Sequence, residues 1–288
     1  MGIDITISQK FLGKKTMPLD VILGNTLHYG YWENDKLTVG KLGGTEFVAF
    51  DPNAIGRGFS VIWNPQEKKR ISLRLPIPST SGEIRAFFDA VARMSRFWGG
   101  TLTVDGTRQK LDTFLTTQDD MQRFNRRVLL DMSDKILHGE HDSLTLPSAM
   151  WPMTIGKEEA EAIQTDPDSF EKWLHAKQSM DIFYSNPSFF TTKDGIMAQF
   201  MLVNDRPTVF PHKPTVPFGL VDPGTGQALK CSDWRVVPII QAEKVPLRQI
   251  KYPVFLERIP EEKKIRYDGN HFLIAPLTEA EVRSFAEM

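Results

Sequence analysis

One short phrase occurs twice in this chain, and it constrains the fold more than any other feature. Residues 80–87 and residues 278–285 both fit the pattern Thr-x-x-Glu-(Ile/Val)-Arg-x-Phe. A threonine followed three residues later by glutamate forms a capping box, in which each side chain accepts a hydrogen bond from the other residue's backbone N–H. The phrase therefore predicts that one helix begins just after Thr80 and another just after Thr278.

The surroundings of the two phrases are also alike. Each follows a strand-like run and, further back, a turn of the form Pro-x-Glu-Lys-Lys, at residues 65–69 and 260–264. This shared order raises the hypothesis of an internal duplication. The alternative is coincidence, because capping boxes and lysine-rich turns are both common. A duplication would give two lobes, with a cleft between them where a ligand could bind.

The hydrophobic pattern predicts a mixture of helices and strands. Apolar residues recur at helical spacing in residues 83–98 and 118–137, and shorter helices are predicted at 157–164 and 167–177. Thr117 with Asp120, and Asp166 before Pro167, resemble helix starts. The predicted buried side of the second long helix is Met121, Phe124, Val128, Met132 and Ile136. Strand-like runs are residues 3–7, 27–32, 47–50, 59–63, 71–75, 102–104, 182–184, 196–203, 235–240, 254–259, 265–267 and 272–275.

These elements predict an α+β protein. Strands and helices seldom alternate one by one, which argues against a doubly wound parallel sheet. We expect two helix-on-sheet lobes with mostly antiparallel or mixed sheets, an N-terminal lobe at 1–145 and a C-terminal lobe at 146–288. A chain of 288 residues could equally form one compact domain.

Charge and cysteine content restrict the partners and the cellular location that we expect. The formal net charge of −1 provides no long-range attraction to nucleic acid or to an anionic membrane. The arginines of residues 118–137 alternate with aspartates at helical spacing, and such pairing neutralises the face that a phosphate backbone would need. The single cysteine, Cys231, allows no intramolecular disulfide, and no apolar run approaches the ~20 residues of a membrane span. We therefore expect a cytoplasmic protein without membrane contact.

One cluster carries the residue types of a metal site. His138, Glu140, His141 and Asp142 supply imidazole and carboxylate ligands that suit zinc, and they are the candidates for a metal-assisted hydrolase. The alternative is a polar helix end, because Gly139 interrupts the helix that would align the ligands. No cofactor is expected, since neither Gly-x-Gly sequence, at 56–58 or 224–226, extends to a nucleotide-binding motif.

A proline-rich segment and scattered aromatic residues suggest contacts with a protein or a small ligand. Prolines recur through residues 206–226, which predicts an extended loop. Trp151, Phe210 and His212 are the candidates for partner contacts. For the tryptophans, packing in the core or between the lobes is the favoured interpretation.

Several stretches resemble a bacterial family of proteins of similar length that is known only as a domain of unknown function. The resemblance includes residues 3–15 with Gln9-Lys10 and Lys14-Lys15, the run Ile55-Gly-Arg-Gly-Phe59, and residues 71–98 with Leu75-Pro-Ile-Pro-Ser-Thr80. It implies no activity and no catalytic residues. The leading hypothesis is a non-enzymatic interaction or ligand-binding protein that acts through a groove between lobes or through residues 206–226. Metal-assisted hydrolysis and nucleic-acid binding are the alternatives.

Overall fold

The computed structural model describes residues 1–9, 15–33, 36–66, 68–217, 220–222, 224–243 and 245–286. The chain divides into two compact units, Met1–Met180 and Asp181–Met288. Residues 146–180, which the sequence analysis assigned to the second lobe, belong to the first unit. The reason is that the helix at residues 157–165 packs along the long helix at residues 118–137.

An antiparallel sheet forms the centre of the first unit. Its strands are β1 (Gly2–Ser8), β2 (His28–Glu33), β3 (Lys36–Val39), β4 (Glu46–Phe50), β5 (Phe59–Ile62), β6 (Arg70–Pro76), β7 (Thr101–Val104) and β8 (Thr107–Gln109). Their order across the sheet is β3-β2-β4-β5-β6-β1-β7-β8, and every neighbouring pair is antiparallel. Ile3, Ile5 and Ile7 are buried on one face because side chains alternate along a strand.

Six helices accompany this sheet in the described part of the first unit. They are α1 (Leu19–Leu23), α2 (Ser81–Trp98), α3 (Leu111–Leu115), α4 (Gln118–Leu137), α5 (Lys157–Thr165) and α6 (Ser169–Gln178). Helix α2 covers the isoleucine face of the sheet, and its Phe87 and Val91 are fully buried in the same core. The predicted capping box is present, with Glu83 N–H donating to Thr80 Oγ1 at 3.1 Å and Thr80 N–H to Glu83 Oε2 at 2.9 Å.

A smaller core lies at the β3-β2-β4 end of the sheet. Leu37, Val48 and Phe50 pack there with Ile55 and Ala149. Ala149 follows the first strand of a two-stranded sheet, β9 (Leu144–Leu146) and β10 (Met153–Ile155). The segment between α4 and α5 thus covers part of the large sheet.

The predicted buried side of α4 is correct only in part. Ile136 is buried as predicted, and Met121 and Val128 are half-buried against the core of the first unit. Phe124, however, is 41% exposed, and Asn125, Leu129 and Ser133 are buried instead. The polar Asn125 can be buried because its amide is hydrogen-bonded to backbone groups.

The predicted helix caps of α4 and α6 are wrong, although α4 does begin at Gln118 as predicted. Thr117 does not cap α4, since its backbone is already helical and its hydroxyl donates to Phe114 O at 2.7 Å. Asp166 lies two residues before the N-cap of α6, Asp168, and its side chain accepts instead from Asp168 N–H at 3.0 Å.

The described residues of the second unit form two sheets. Its strands are β11 (Phe183–Tyr184), β12 (Ser188–Thr192), β13 (Gly195–Val203), β14 (Thr208–Pro211), β15 (Asp233–Ile240), β16 (Val245–Pro246), β17 (Ile250–Lys251), β18 (Lys264–Arg266) and β19 (His271–Ile274). One sheet has the order β11-β14-β19-β18, and the other has the order β12-β13-β15-β16 with β17 also on β15. The pairs β11/β14 and β13/β15 are parallel and the others antiparallel. The α+β class with antiparallel and mixed sheets is confirmed.

Two expectations for this unit are wrong. Residues 254–259, read as a strand, lie mostly in helix α7 (Tyr252–Arg258), where Pro253 suits the first turn. A short apolar run does not by itself distinguish helix from strand. Within the proline-rich segment, residues 208–211 form the internal strand β14, with Pro207 before it and Pro211 at its end.

The second copy of the repeated phrase also begins a helix, α8 (Glu279–Ala286). Thr278 N–H donates to Glu281 Oε2 at 2.8 Å, and Glu281 N–H donates to Thr278 Oγ1 at 3.3 Å. An antiparallel strand pair precedes each helix, β5–β6 before α2 and β18–β19 before α8. The position of the Pro-x-Glu-Lys-Lys sequence differs, however, because it lies between β5 and β6 in the first copy, whereas in the second it follows helix α7, includes a 3₁₀ turn (Glu261–Lys263) and leads into β18. The two regions share a strand pair and a helix start, but not the whole arrangement that a duplication predicts. None of the described helices combines the length and apolar character that crossing a bilayer requires.

Candidate functional site

A cavity of about 190 Å³ opens beside the first residues of α2, within the first unit. Its walls come from the loop Ser79–Ser81, from one face of α4, and from the start of α6. We call it the helix-end cavity. The α4 residues that line it are Gln122, Arg123, Asn125, Arg126 and Leu129, and the residues around the start of α6 are Pro167, Asp168, Phe170 and Glu171.

Helix α4 holds the loop of the helix-end cavity through two amide side chains. Asn125 Oδ1 accepts from Ser79 N–H at 2.7 Å, and its Nδ2 donates to Ser79 O at 2.8 Å. Gln122 Nε2 donates to Ser81 O at 3.0 Å. Because Asn125 is 5% exposed, its two hydrogen bonds are shielded from water and fix the loop in one position.

Helix α6 contributes a carboxylate to the same loop. Glu171 Oε2 accepts from Ser81 N–H at 3.1 Å, at the end of α2 where free backbone N–H groups favour a negative charge. Gly82 permits this approach, since a Cβ at that position would lie 2.9 Å from Glu171 Oε1. The loop is therefore hydrogen-bonded to two further helices.

A buried carboxylate accepts backbone hydrogen bonds at the start of α2. Glu83 is 3% exposed, and it accepts hydrogen bonds from Gly58 N–H on Oε1 and Thr80 N–H on Oε2. Burial raises the pKa of the Glu83 carboxyl, although these N–H donors and the nearby Arg57 oppose the change. Gly56 leaves room for this carboxyl group, because a Cβ there would lie 2.7 Å from its atoms. The Gly56–Gly58 sequence is thus part of the support for the start of α2.

Arg57, which lies between Gly56 and Gly58, donates hydrogen bonds to two loops. Its Nη1 donates to Pro78 O at 2.6 Å and its Nε to Pro147 O at 2.8 Å. Burial lowers the pKa of the Arg57 guanidinium to about 10, and the Glu83 charge acts in the opposite direction. A guanidinium with a pKa near that value remains charged at neutral pH, so it supplies a fixed positive charge beside Glu83.

The mouth of the helix-end cavity carries charges of both signs. Arg126 Nη1 lies 3.8 Å from Asp168 Oδ1, which is beyond hydrogen-bonding distance, and the two side chains are 55% and 67% exposed. Arg123 is paired with Asp120. Arg126 and Asp168 therefore form a loose ion pair, and both side chains are exposed enough to contact one small molecule.

A second constellation of polar residues lies in the second unit. Asp268 Oδ1 accepts from the backbone N–H groups of Asn270 and His271 at 2.9 and 2.8 Å, and it lies 2.8 Å from His271 Nδ1. Since this oxygen is an acceptor, His271 Nδ1 carries a proton and donates it. The other ring nitrogen, Nε2, lies 3.1 Å from the Tyr184 hydroxyl. All three residues are buried, and the hydrogen bonds between them link β11 to β19 across β14.

The predicted metal ligands lie at the exposed C-terminal end of α4. His138, Glu140, His141 and Asp142 are all exposed, and His138 Nδ1 faces its own helix, 3.2 Å from Asp134 Oδ1. Throughout the described ranges, no three His, Cys, Asp or Glu side chains form a group that could hold a metal ion. The metal-assisted hydrolase remains a prediction. It requires stoichiometric metal in the purified protein that is lost on His138→Ala and His141→Ala.

The candidates for partner contacts have different environments. Trp151 is 4% exposed and Phe210 is fully buried, in contact with the rings of Phe255 and Phe272. His212 is exposed at the end of β14, and partial burial and the neighbouring His271 lower its pKa. Two of the three side chains are therefore core residues, and only the third is accessible.

Sequence reasoning missed the residues that shape the helix-end cavity. Asn125 and Ser79 are separated by 46 positions, and Glu171 and Ser81 by 90, so no local motif connects them. The signal available was a single asparagine within an amphipathic helix. In the sequence, Arg126 is one of several charged residues on the surface of this helix.

A family model for a domain of unknown function, DUF4299, matches residues 2–285. The chain belongs to this family. The resemblance to a family of unknown function, predicted from residues 3–15, 55–59 and 71–98, is thereby confirmed. Neither the search of curated proteins nor that of solved structures found a match. The description of DUF4299 includes no activity, so the geometry of the cavity is the basis for a functional proposal.

Proposed function

We propose that this DUF4299 chain is a non-enzymatic binding protein whose helix-end cavity accepts a small polar ligand. The observation that carries the proposal is the meeting of opposite charges, Arg126 and Asp168, at the mouth of a cavity with a rigid polar floor. A concave site with a few convergent polar groups is the usual form of a ligand site.

The size of the cavity restricts the ligand. Its volume of about 190 Å³ is below the roughly 300–1,000 Å³ of sites for drug-sized molecules. A ligand of this size has few atoms, so most of its affinity must come from charge and hydrogen bonding.

The charges of the lining indicate the ligand's chemistry. A carboxylate or phosphate would pair with the planar guanidinium of Arg126. An ammonium or hydroxyl group on the same molecule would pair with Asp168. A zwitterion such as a free amino acid satisfies both groups at once.

The roles of the floor residues favour binding over catalysis. Asn125, Gln122 and Glu171 are each hydrogen-bonded to the backbone of the loop, so they hold the shape of the site. A site that is already in its bound shape loses little conformational entropy when a ligand enters.

A ligand panel tests the proposal. Thermal unfolding is measured with amino acids, simple carboxylates and phosphate, and calorimetry follows for each compound that raises Tm. A ligand at 100 times its Kd stabilises the folded chain by about 2.7 kcal/mol. We expect a zwitterion to raise Tm, and Arg126→Gln and Asp168→Asn each to weaken its binding at least tenfold.

The chain offers a matched control. Arg74 and Asp4 form an ion pair on the exposed face of β6 and β1, and their side chains are 53% and 57% exposed, similar to Arg126 and Asp168. Arg74→Gln and Asp4→Asn should leave ligand affinity unchanged. A panel without any stabilising compound, or equal losses in the control pair, would contradict the proposal.

A further inference from the structure

The edges of the larger sheets differ in how they are protected from pairing with another chain. Edge strands expose unpaired backbone groups, and proteins commonly protect them with charges, proline or short length. In the described residues such protection is present at five edges. These are Lys36 on β3, Arg108 on β8, Lys264 and Arg266 on β18, Pro246 on the two-residue β16, and the two-residue length of β11.

Strand β12 is an edge without these protections. Its five residues, Ser188–Thr192, include no charged residue and no proline, and among the described strands it pairs with β13 alone. In an antiparallel pair, alternate residues direct their N–H and C=O groups away from the partner strand. The outer edge of β12 therefore presents a row of hydrogen-bonding groups to solvent.

The side chains of β12 add an apolar contribution. Phe189 faces the core, with its ring 6.0 Å from that of Trp234, so Phe190 lies on the opposite face. Phe190 is 45% exposed, and Met201, on the same face of β13, is 37% exposed. An exposed aromatic ring on an unprotected edge strand is a feature that pairing with another strand would bury.

We propose that β12 pairs antiparallel with β12 of a second copy of this chain. A two-fold axis at Phe190 would place Phe190 beside its counterpart, Phe189 opposite Thr191, and Ser188 opposite Thr192. Aromatic and hydroxyl cross-strand pairs of this kind stabilise a sheet. The two sheets would join into one continuous sheet through an isologous interface.

The sequence of the strand favours a second copy over a foreign peptide. Symmetric pairing brings each residue near its own counterpart, so a charge near the axis would repel itself, and β12 has none. Pro187, which lacks an N–H, precedes the strand, and a turn at Lys193-Asp194 follows it. The ladder is therefore confined to five residues, and we expect a modest, concentration-dependent affinity because the interface is smaller than a standard one.

Sedimentation over a range of concentrations tests the proposal with two charge variants. Wild-type protein should shift from monomer to dimer as its concentration rises. Phe190→Lys and Phe190→Glu should each remain monomeric at concentrations where the wild type is mostly dimeric, because like charges would meet at the axis. An equimolar mixture of the two variants should recover the dimer, since opposite charges then face each other.

Ile265→Lys is the matched control. Ile265 is 49% exposed on the edge strand β18, which already carries charges, so this substitution should leave the dimer intact. Hydrogen exchange on wild-type protein gives a readout without any variant, and the amides of residues 188–192 should become more protected as concentration rises. The proposal is overturned by a wild-type monomer at every concentration, by dimers of either single-charge variant, or by protection that appears only with an added extended peptide.

Discussion

The starts of α2 and α8 share one sequence phrase and one hydrogen-bonding pattern, but the pKa values of their glutamates are shifted in opposite directions. Thr80 and Glu83 are buried, and burial raises the pKa of Glu83. Thr278 is exposed, and hydrogen bonds from Lys263 and then from Thr278 lower the pKa of Glu281 to about 2. The local phrase thus determines where a helix begins, while the surrounding fold determines what the glutamate does.

The largest expected difference concerns the phenylalanine that ends each phrase. Phe87 is fully buried, with edge-to-face contacts to Phe59 and Phe88, and Phe87→Ala should cost about 3–5 kcal/mol of unfolding free energy. Phe285 lies in the short α8, so Phe285→Ala should cost less unfolding free energy, near the lower end of that range. Chemical denaturation of both variants measures this difference. A cost for Phe87→Ala below that of Phe285→Ala would reverse the comparison.

The second largest difference in unfolding free energy is expected between substitutions of the two glutamates. Both oxygens of Glu83 accept backbone N–H groups, so Glu83→Gln would leave one buried N–H facing an amide NH₂, at a cost of about 1–3 kcal/mol. Glu281 is 40% exposed, and Glu281→Gln should cost below about 1 kcal/mol. Equal unfolding free energies for the two variants would show that burial does not distinguish the two caps.

A smaller difference in stability is expected between substitutions of the two capping threonines. Thr80→Ala should cost about 1–2 kcal/mol and Thr278→Ala about 0.5–1 kcal/mol, since both lose a cap but only the first leaves a buried N–H unpaired. Denaturation midpoints of the two variants measure this order. Unchanged stability in both would remove the capping interpretation altogether.

The smallest effect is a pH dependence of opposite sign. The folded-state pKa of Glu281 is lowered, so its contribution is complete above the ordinary value of 4.5 and is lost as pH falls towards about 2. The pKa of Glu83 is raised, so its contribution instead falls as pH rises above 4.5. Stability differences between wild type and each Gln variant, measured from acid to neutral pH, should slope in opposite directions. Parallel slopes would contradict the assignment.

Much of the fold was predictable because its signals are local. The capping box at Thr80 and the apolar stripe after it predicted α2, and the length of α4 was predicted correctly at residues 118–137. The buried face of α4 was predictable from hydrophobicity only in part. Ile136 is buried as expected, but Asn125, whose amide is hydrogen-bonded to Ser79, is buried while its apolar neighbour Phe124 is exposed. Residues 254–259 were misread since a short apolar run fits either kind of element.

The candidate site was less accessible to sequence reasoning. Its floor joins Ser79 to Asn125 and Ser81 to Glu171, and its mouth joins Arg126 to Asp168. Each pair spans distant parts of the chain, and each partner is an ordinary polar residue in its local context. Only the packing of α2, α4 and α6 brings them together.

The most direct measurement of the central proposal is a titration followed by amide NMR shifts. The compound that raises Tm most is added to wild-type protein while the backbone amides are monitored. If the compound enters the helix-end cavity, the largest shifts will occur at Ser79–Ser81, at the α4 residues around Arg126, and at Asp168. Shifts that are absent there, or that cluster elsewhere in the chain, would show that the helix-end cavity is not the binding site.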